Sequence, residues 1–396
     1  MPFEQAPAAV GAIPLFEPDI SGNEWRYVKD CLDTGWVSSA GAYVRRFEAA
    51  VAARVGCRHA VATTSGTAAL HIALLVAGVE PDEEVVVSNL TFVAPANAVR
   101  YVGAHPVFVD ADPAFWQMDT DCLEEFLVRG CRSVNGTLRN RLTGRRVRAI
   151  LPVHILGHPC EMDPISELAA RFELPVIEDA CESLGAEYRG RAVGQLGAIA
   201  CFSFNGNKVA TSGGGGMITT DNEEWARRAR YLTTQAKDDP IEYVHHAIGF
   251  NYRLPNVSAA IGLAQIERLD GLMRRKREIA AAYAGALSGC SGVTSQRVAD
   301  WAAPSWWLHT IVIDEHVARI DSRALLARLA AAGIESRPLW HPIARLRPFK
   351  GAQTVGGAVA DRLHRDALCL PSSTTLTPER QQRVIDVVRD ALADGS

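Results

Sequence analysis

Short apolar runs alternate with segments of helical period through the first two thirds of the chain. The runs His59–Ala62, Glu84–Ser88, Pro106–Val109, Ala149–Val153, Val176–Glu178 and Ile199–Phe204 are predicted as buried strands. The segments Ala68–Ala77, Thr91–Tyr101, Asp121–Val128 and Ile165–Phe172 between them are predicted as helices. Ahead of the first strand, Ser21-Gly22-Asn23-Glu24 reads as a helix start, and Trp25, Val28 and Leu32 form its apolar stripe. Phe47, Val51 and Val55 mark a second helix. Arg139–Arg148 is basic and is predicted as an exposed hairpin or loop. Asn222–Gln235, Ala259–Ile266 and the long Leu269–Leu287 are further helices. Beyond them come a strand at Thr310–Ile313, a helix at Ser322–Ala332 and a closing amphipathic helix at Arg380–Leu392. Such an alternation predicts an α/β fold, a mainly parallel sheet covered on both faces, followed by a smaller C-terminal α+β domain. The expected division is a flexible arm over 1–12, a large domain over 13–268, and a linker helix with the small domain over 269–396.

Parallel sheets bind ligands beyond the carboxyl ends of their strands. Ser65, His154, Asp179 and Lys208 all fall at such ends. Lys208 follows the turn Asn205-Gly206-Asn207 and precedes the run Gly213–Gly216. A desolvated lysine there can form an imine with a carbonyl ligand; a solvated surface lysine before a flexible glycine loop is the plainer alternative. Ser65-Gly66-Thr67 sits where a strand hands over to a helix, which is either an anion site or a simple N-cap. Asp179 reads either as the partner of a ring nitrogen or as a strand-end cap, and His154 as a hydrogen-bonded structural histidine. The imine-forming ligand that would use these groups is pyridoxal 5′-phosphate. Its phosphate needs hydroxyl and N–H donors, for which Ser65, Gly66, Thr67 and Ser203 are suited. Its ring nitrogen needs a carboxylate, which Asp179 supplies, so that the ring accepts carbanion charge. Phe92 can cover the ring or belong to the core.

Composition narrows the setting. With 396 residues, 48% of them apolar and 22% charged, the chain suits a globular protein of two domains, or a large unit with a smaller partner. A net charge of −4 argues against nucleic acid as the main ligand. Nine scattered cysteines form no Cys-x-x-Cys pair and no zinc spacing, so no metal is expected and the thiols read as reduced. There is no basic segment followed by an apolar run, and no apolar stretch long enough to span a membrane, so the cytoplasm is the expected location.

Seven ordered stretches carry a resemblance: SGTAALHIAL (65–74), LTFVAPANAV (90–99), PVFVD (106–110), PVHILGHP (152–159), EDACESLGA (178–186), CFSFNGNK (201–208) and GFNYRLPNVSAAIGLAQIE (249–267). In these the chain resembles the DegT/DnrJ/StrS family of pyridoxal-phosphate-dependent nucleotide-sugar aminotransferases, over about residues 14–267. The resemblance implies the aspartate-aminotransferase architecture (fold type I) and a homodimer with shared active sites. It implies that Lys208 carries the imine with the cofactor, Asp179 meets the pyridine nitrogen, and Gly66, Thr67 and Ser203 hold the phosphate. Glu182 stands where the family often has glutamine beside the cofactor hydroxyl, and Asn251 where an asparagine reaches the neighbouring subunit's phosphate. Gly213–Gly216 lacks the glutamate of the family's frequent Gly-Glu-Gly-Gly.

Residues 21–41, SGNEWRYVKDCLDTGWVSSAG, resemble the branch associated with nine-carbon, legionaminic-acid-like sugars. That implies amino transfer from L-glutamate to C4 of a UDP-linked 4-keto-6-deoxy-N-acetylhexosamine, with Trp36, Ser38 and His341 near the sugar. A C3-aminotransferase or a dehydratase acting on a dTDP- or GDP-keto sugar shares the fold. The dehydratase branch has histidine in place of the lysine, so the presence of Lys208 favours amino transfer. A catalytically silent regulator is more remote, because no fused DNA-binding segment is visible. A nicotinamide site at Gly213–Gly216 is weaker still, since Gly-x-Gly-x-x-Gly is absent there.

Overall fold

A computed structural model describes residues 11–239 and 241–393. Of the expected N-terminal arm, residues 1–10 lie outside that range. Seven strands form the body of the large sheet, to whose β3 edge a short eighth is added from the C-terminal third: β1 (His59–Thr63), β2 (Glu84–Ser88), β3 (His105–Val109), β4 (Val147–Leu151), β5 (Ile177–Asp179), β6 (Ile199–Ser203) and β7 (Gly216–Thr220). β1 pairs with β7 and β7 with β6, both antiparallel, while β6 pairs with β5 in parallel. Bridges at Ile150–Val176 and Val153–Asp179 join β5 to β4. β4, β2 and β3 then continue in parallel. The sheet is mainly parallel, as the run pattern predicts, and β7 runs against its neighbours.

Burial on both faces explains the unbroken apolar runs. Val85 and Val87 of β2 face one core, together with Leu151, Phe202 and the buried side of helix Gly66–Val76. Val86 faces the other core, together with Val107, Ile150 and Leu168. Period-two alternation disappears because both faces are apolar.

The helix at Glu24–Asp33 buries a different face from the one predicted. Glu24, Tyr27 and Cys31 are buried, whereas Trp25 and Leu32 are 77% and 60% exposed. Polar contacts select that face. Glu24 accepts from Gln265 Nε2 at 2.6 Å, and Tyr27 donates to Glu267 at 2.7 Å, both on helix Asn256–Glu267. The basic segment 139–148 divides: its start closes a hairpin of Cys131–Val134 with Thr137–Asn140, and its end opens β4.

The C-terminal third builds an antiparallel sheet from Val293–Ser295, His309–Ile313, Ala367–Leu370 and Arg337–Pro338. Its core joins Ile279, Tyr283, Ile311, Leu325, Leu368 and Val384. The same third sends Thr354–Val355 back to pair in parallel with β3. Asp110, just past β3, fixes that return. Its Oδ1 accepts from Ala360 N–H at 2.9 Å, and its Oδ2 from Gly357 at 2.5 Å and Val359 at 3.0 Å. These amides open the helix Ala358–Asp366, whose first-turn donors have no partner within the helix. A helix cap contributes about 0.5–2 kcal/mol and a hydrogen bond to a charged group about 1.5–3 kcal/mol. Asp110→Ala is therefore expected to lower stability by at least about 2 kcal/mol. Amide exchange at Gly357–Ala360 should accelerate together with that loss, and unchanged protection there would show that the cap is dispensable.

Candidate active site

The carboxyl ends of β1, β5 and β6 converge on one point. β1 ends at Thr63, and Ser65 caps the helix behind it, its hydroxyl accepting from Ala68 N–H at 3.0 Å. The plain N-cap reading of this turn is thus realised. It leaves the amides of Gly66 and Thr67 in the first helical turn without intrahelical partners, as an anion site requires. Gly66 is demanded by packing: a Cβ there would lie 2.7 Å from Cys181 Sγ and 2.9 Å from Ser203 Cβ. The turn after β1, the loop after β5 and the end of β6 are therefore in mutual contact.

Asp179 ends β5 and is buried. Its main chain is clamped to the β4 extension, with His154 N–H donating to its carbonyl and its own N–H donating to Pro152, each at 3.0 Å. Its carboxylate accepts from Cys181 N–H at 3.1 Å. Burial pushes the Asp179 carboxyl up, against the lowering effects of the Cys181 hydrogen bonds and the Lys208 charge.

Lys208 follows the tight turn from Asn205, to whose carbonyl it donates its backbone N–H at 3.0 Å. Its Nζ lies 3.7 Å from Glu182 Oε1, with 14% of the lysine side chain exposed. It also lies 4.0 Å from the centroid of the Trp307 ring. The other Glu182 oxygen accepts from Leu156 N–H at 2.8 Å. Leu156 is held at φ +58°, a left-handed conformation that costs a branched residue energy and here aims that N–H. Burial pushes the Glu182 carboxyl up to about 7, with the Lys208 charge and the Leu156 N–H opposing it.

His154 is structural. Its Nδ1 accepts from Cys160 N–H at 2.9 Å, so the proton is assigned to Nε2, which faces Glu178 Oε2 at 3.1 Å. Glu178 also accepts the amides of Gly194, Leu196 and Gly197, which ties the loop before β6 to β5.

The glycine run divides by need. Gly216 pairs within the sheet, where a Cβ would meet Ser65 O at 2.3 Å, and a Cβ on Gly215 would meet Ser212 Oγ at 2.3 Å. Gly214 has open space, so the glutamate that resembling chains carry in this run has room but is not required by packing.

The structure thus brings together Gly66, Asp179, Glu182, Ser203 and Lys208. Phe92 and Trp36 are 55% and 58% exposed, and Ser38, Asn251 and His341 are exposed as well. The carbonyls of Trp36 and Ser38 accept from Asn256, at 2.7 and 2.8 Å. The His341 ring packs 4.5 Å from that of His364.

The sequence alone does not single out Trp307. Its Nε1 donates to Asn207 O at 2.6 Å, and its ring stacks on Trp340 at 6.1 Å. Its carbonyl accepts from the buried Lys276 at 2.7 Å. The adjacent pair Trp306-Trp307 was the available signal, but nothing local links it to a lysine a hundred residues earlier.

The chain is similar to known proteins along nearly its whole length. The DegT/DnrJ/EryC1/StrS aminotransferase family matches residues 18–389. A GDP-perosamine synthase of Caulobacter vibrioides is 40% identical, covering 96% of this chain and 98% of its own. A putative pyridoxal phosphate-dependent aminotransferase of Bacillus subtilis, EpsN, is 38% identical over 95% of both chains. The crystal structure of the aminotransferase TlmJ from Streptoalloteichus hindustanus superposes with a TM-score of 0.87 at 28% identity, covering 96% of this chain and 99% of TlmJ.

Proposed function

The chain belongs to the DegT/DnrJ/EryC1/StrS aminotransferase family, and from that premise we infer that it transfers an amino group from L-glutamate to C4 of a GDP-linked 4-keto-6-deoxy sugar. It is a sugar aminotransferase with fold type I that uses pyridoxal 5′-phosphate. The residues present fit that cofactor. Two first-turn amides at Gly66 and Thr67, with the hydroxyls of Ser65 and Ser203, make a donor set for the phosphate. Asp179 is a buried carboxylate whose burial outweighs the lowering effects of the Cys181 hydrogen bonds and the Lys208 and His154 charges, and a protonated ring nitrogen would supply a further counter-charge. When bound, the cofactor takes up the amino group and its ring accepts the electron pair left by the lost proton.

The chain's own residues do the rest. Lys208 would hold the cofactor through its amine, and that amine, once freed, would move the donor's Cα proton. Asp179 keeps the ring nitrogen protonated. Glu182 faces the Lys208 amine from one side and Trp307 from the other. Phe92 would cover the ring, and Trp36, Ser38 and His341 would meet the sugar; all four are exposed and available to a ligand. Asn251 reaches the phosphate site of a second copy. We read the chain as a homodimer, for whose interface the exposed apolar side chains Trp25, Trp36, Phe92, Tyr101, Ile241 and Ile248 are available. We assign the reaction to the cytoplasm, a reducing compartment that suits nine free cysteines. Among the described residues no helix is long and apolar enough to cross a membrane.

The guanosine nucleotide rests on one observation, the 40% identity with a GDP-perosamine synthase along nearly the whole of both chains. The resemblance of residues 21–41 to the legionaminic branch supports a UDP-linked N-acetyl sugar as the second reading. The deciding assay offers GDP-, UDP- and dTDP-linked 4-keto-6-deoxy sugars with L-glutamate and locates the new nitrogen by NMR. The GDP sugar is expected to lead in kcat/KM by about tenfold or more, with the nitrogen at C4. Faster turnover of a UDP sugar would transfer the assignment to the second reading.

A further inference from the structure

Lys208 and Glu182 form an acid–base couple one small motion away from a hydrogen bond. Nζ and Oε1 are 3.7 Å apart, and closing the gap by about 0.7 Å would give an ordinary N–H···O contact. The neighbours restrict that motion to one direction. The indole of Trp307 lies against the amine, and the Leu156 N–H occupies Oε2, so Oε1 is left for the lysine. Ser305 donates to the Glu182 carbonyl at 2.9 Å and fixes its main chain.

We propose that Glu182 is the proton acceptor that frees the Lys208 amine for bonding to the cofactor. One ammonium proton passes from Nζ to Oε1. The nitrogen keeps the electron pair, and the carboxylate becomes a neutral acid. The glutamine that the family often has at this position cannot take that proton. The proposal rests on Lys208 being the amine that bonds the cofactor.

The groups facing Glu182 set the pH at which this operates. Burial and the Asp179 carboxylate raise its proton affinity, whereas the Lys208 charge and the Leu156 N–H lower it. The Cys369 thiol, on the small-domain strand, also feels the Glu182 charge. The balance lies at about 7. Below it Glu182 already holds a proton and cannot accept another; above it the carboxylate is free to accept.

The test mixes full-length protein, freed of cofactor, with pyridoxal 5′-phosphate and follows the rate at which the near-visible imine band appears across neutral pH. Dividing wild-type rates by Glu182→Gln rates removes the ionisations of the free cofactor. That ratio is expected to climb about tenfold or more, with its midpoint near 7. Gln keeps an acceptor for the Leu156 N–H, so a loss of packing alone would lower the rate equally at every pH. A flat ratio overturns the proposal. Glu182→Asp retains a titrating carboxylate at greater distance, so its own profile should still rise, to a lower plateau. A flat Asp profile also overturns the proposal. If Lys208→Ala develops the same band, the assignment of Lys208 fails instead.

Discussion

Lys208→Ala is expected to lower amino transfer by about 10⁴-fold or more, because the variant lacks both the amine that bonds the cofactor and the base that moves the donor proton. The near-visible band should vanish from the purified protein as well. The buried Lys276 does not stand in for it, because its amine donates to the carbonyls of Trp307 and Ser372. The same variant should change stability in a pH-dependent way. Lys208 is a leading cause holding the Glu182 carboxyl down, so its removal pushes that carboxyl higher still. A carboxyl whose folded proton affinity exceeds its unfolded one favours the folded state at low pH and loses that contribution as pH rises through its folded pKa. Lys208→Ala should therefore unfold at a lower temperature than the wild type above neutrality and nearly match it in acid. Paired thermal scans would check this. A coloured, active Lys208→Ala protein would refute the assignment.

Much of this site was legible because parallel-sheet architecture gives local sequence a global meaning. An apolar run followed by a turn marks a strand end, and ligand chemistry gathers there. That rule selects Ser65, His154, Asp179 and Lys208; Ser65, Asp179 and Lys208 fall around the same end of one sheet, whereas His154 is taken up by Cys160 N–H and Glu178. The rule failed where the deciding partner is distant in sequence. Local amphipathicity points to the wrong face of helix Glu24–Asp33, because Gln265 and Glu267, which select the buried face, lie some 240 residues on. Trp307 and the return of Thr354–Val355 to β3 were missed for the same reason. Leu156 illustrates a further limit. No side-chain property announces a left-handed leucine; it is tolerated because the turn is held from outside, with Gln117 accepting Ile155 N–H at 3.1 Å and Glu182 accepting that of Leu156. The four glycines were one feature in the sequence and are three in the structure: a sheet position, a close packing contact, and an open site.

Asp179→Asn is expected to separate activity from stability. Asn is nearly isosteric and can still accept the Cys181 N–H, so the clamp between β4 and β5 should survive. What disappears is the negative charge that keeps the cofactor ring protonated. Removing one preorganised electrostatic contact of this kind costs about 10²–10³ in rate, and a loss of that size is expected here. Stability without cofactor should move the other way. Burial raises the Asp179 carboxyl, so ionising it at neutral pH opposes folding in the cofactor-free chain. The cofactor-free wild type is therefore destabilised as pH rises above the usual carboxylate range, and the Asn variant is spared that loss. At neutral pH the cofactor-free Asn protein should melt at or above the wild-type temperature, while its amino-transfer rate falls and its affinity for pyridoxal phosphate weakens. Thermal scans with and without cofactor, beside a single-turnover assay with glutamate, measure all three. A purely structural carboxylate would give the reverse pattern, with stability lost and the rate per folded molecule preserved.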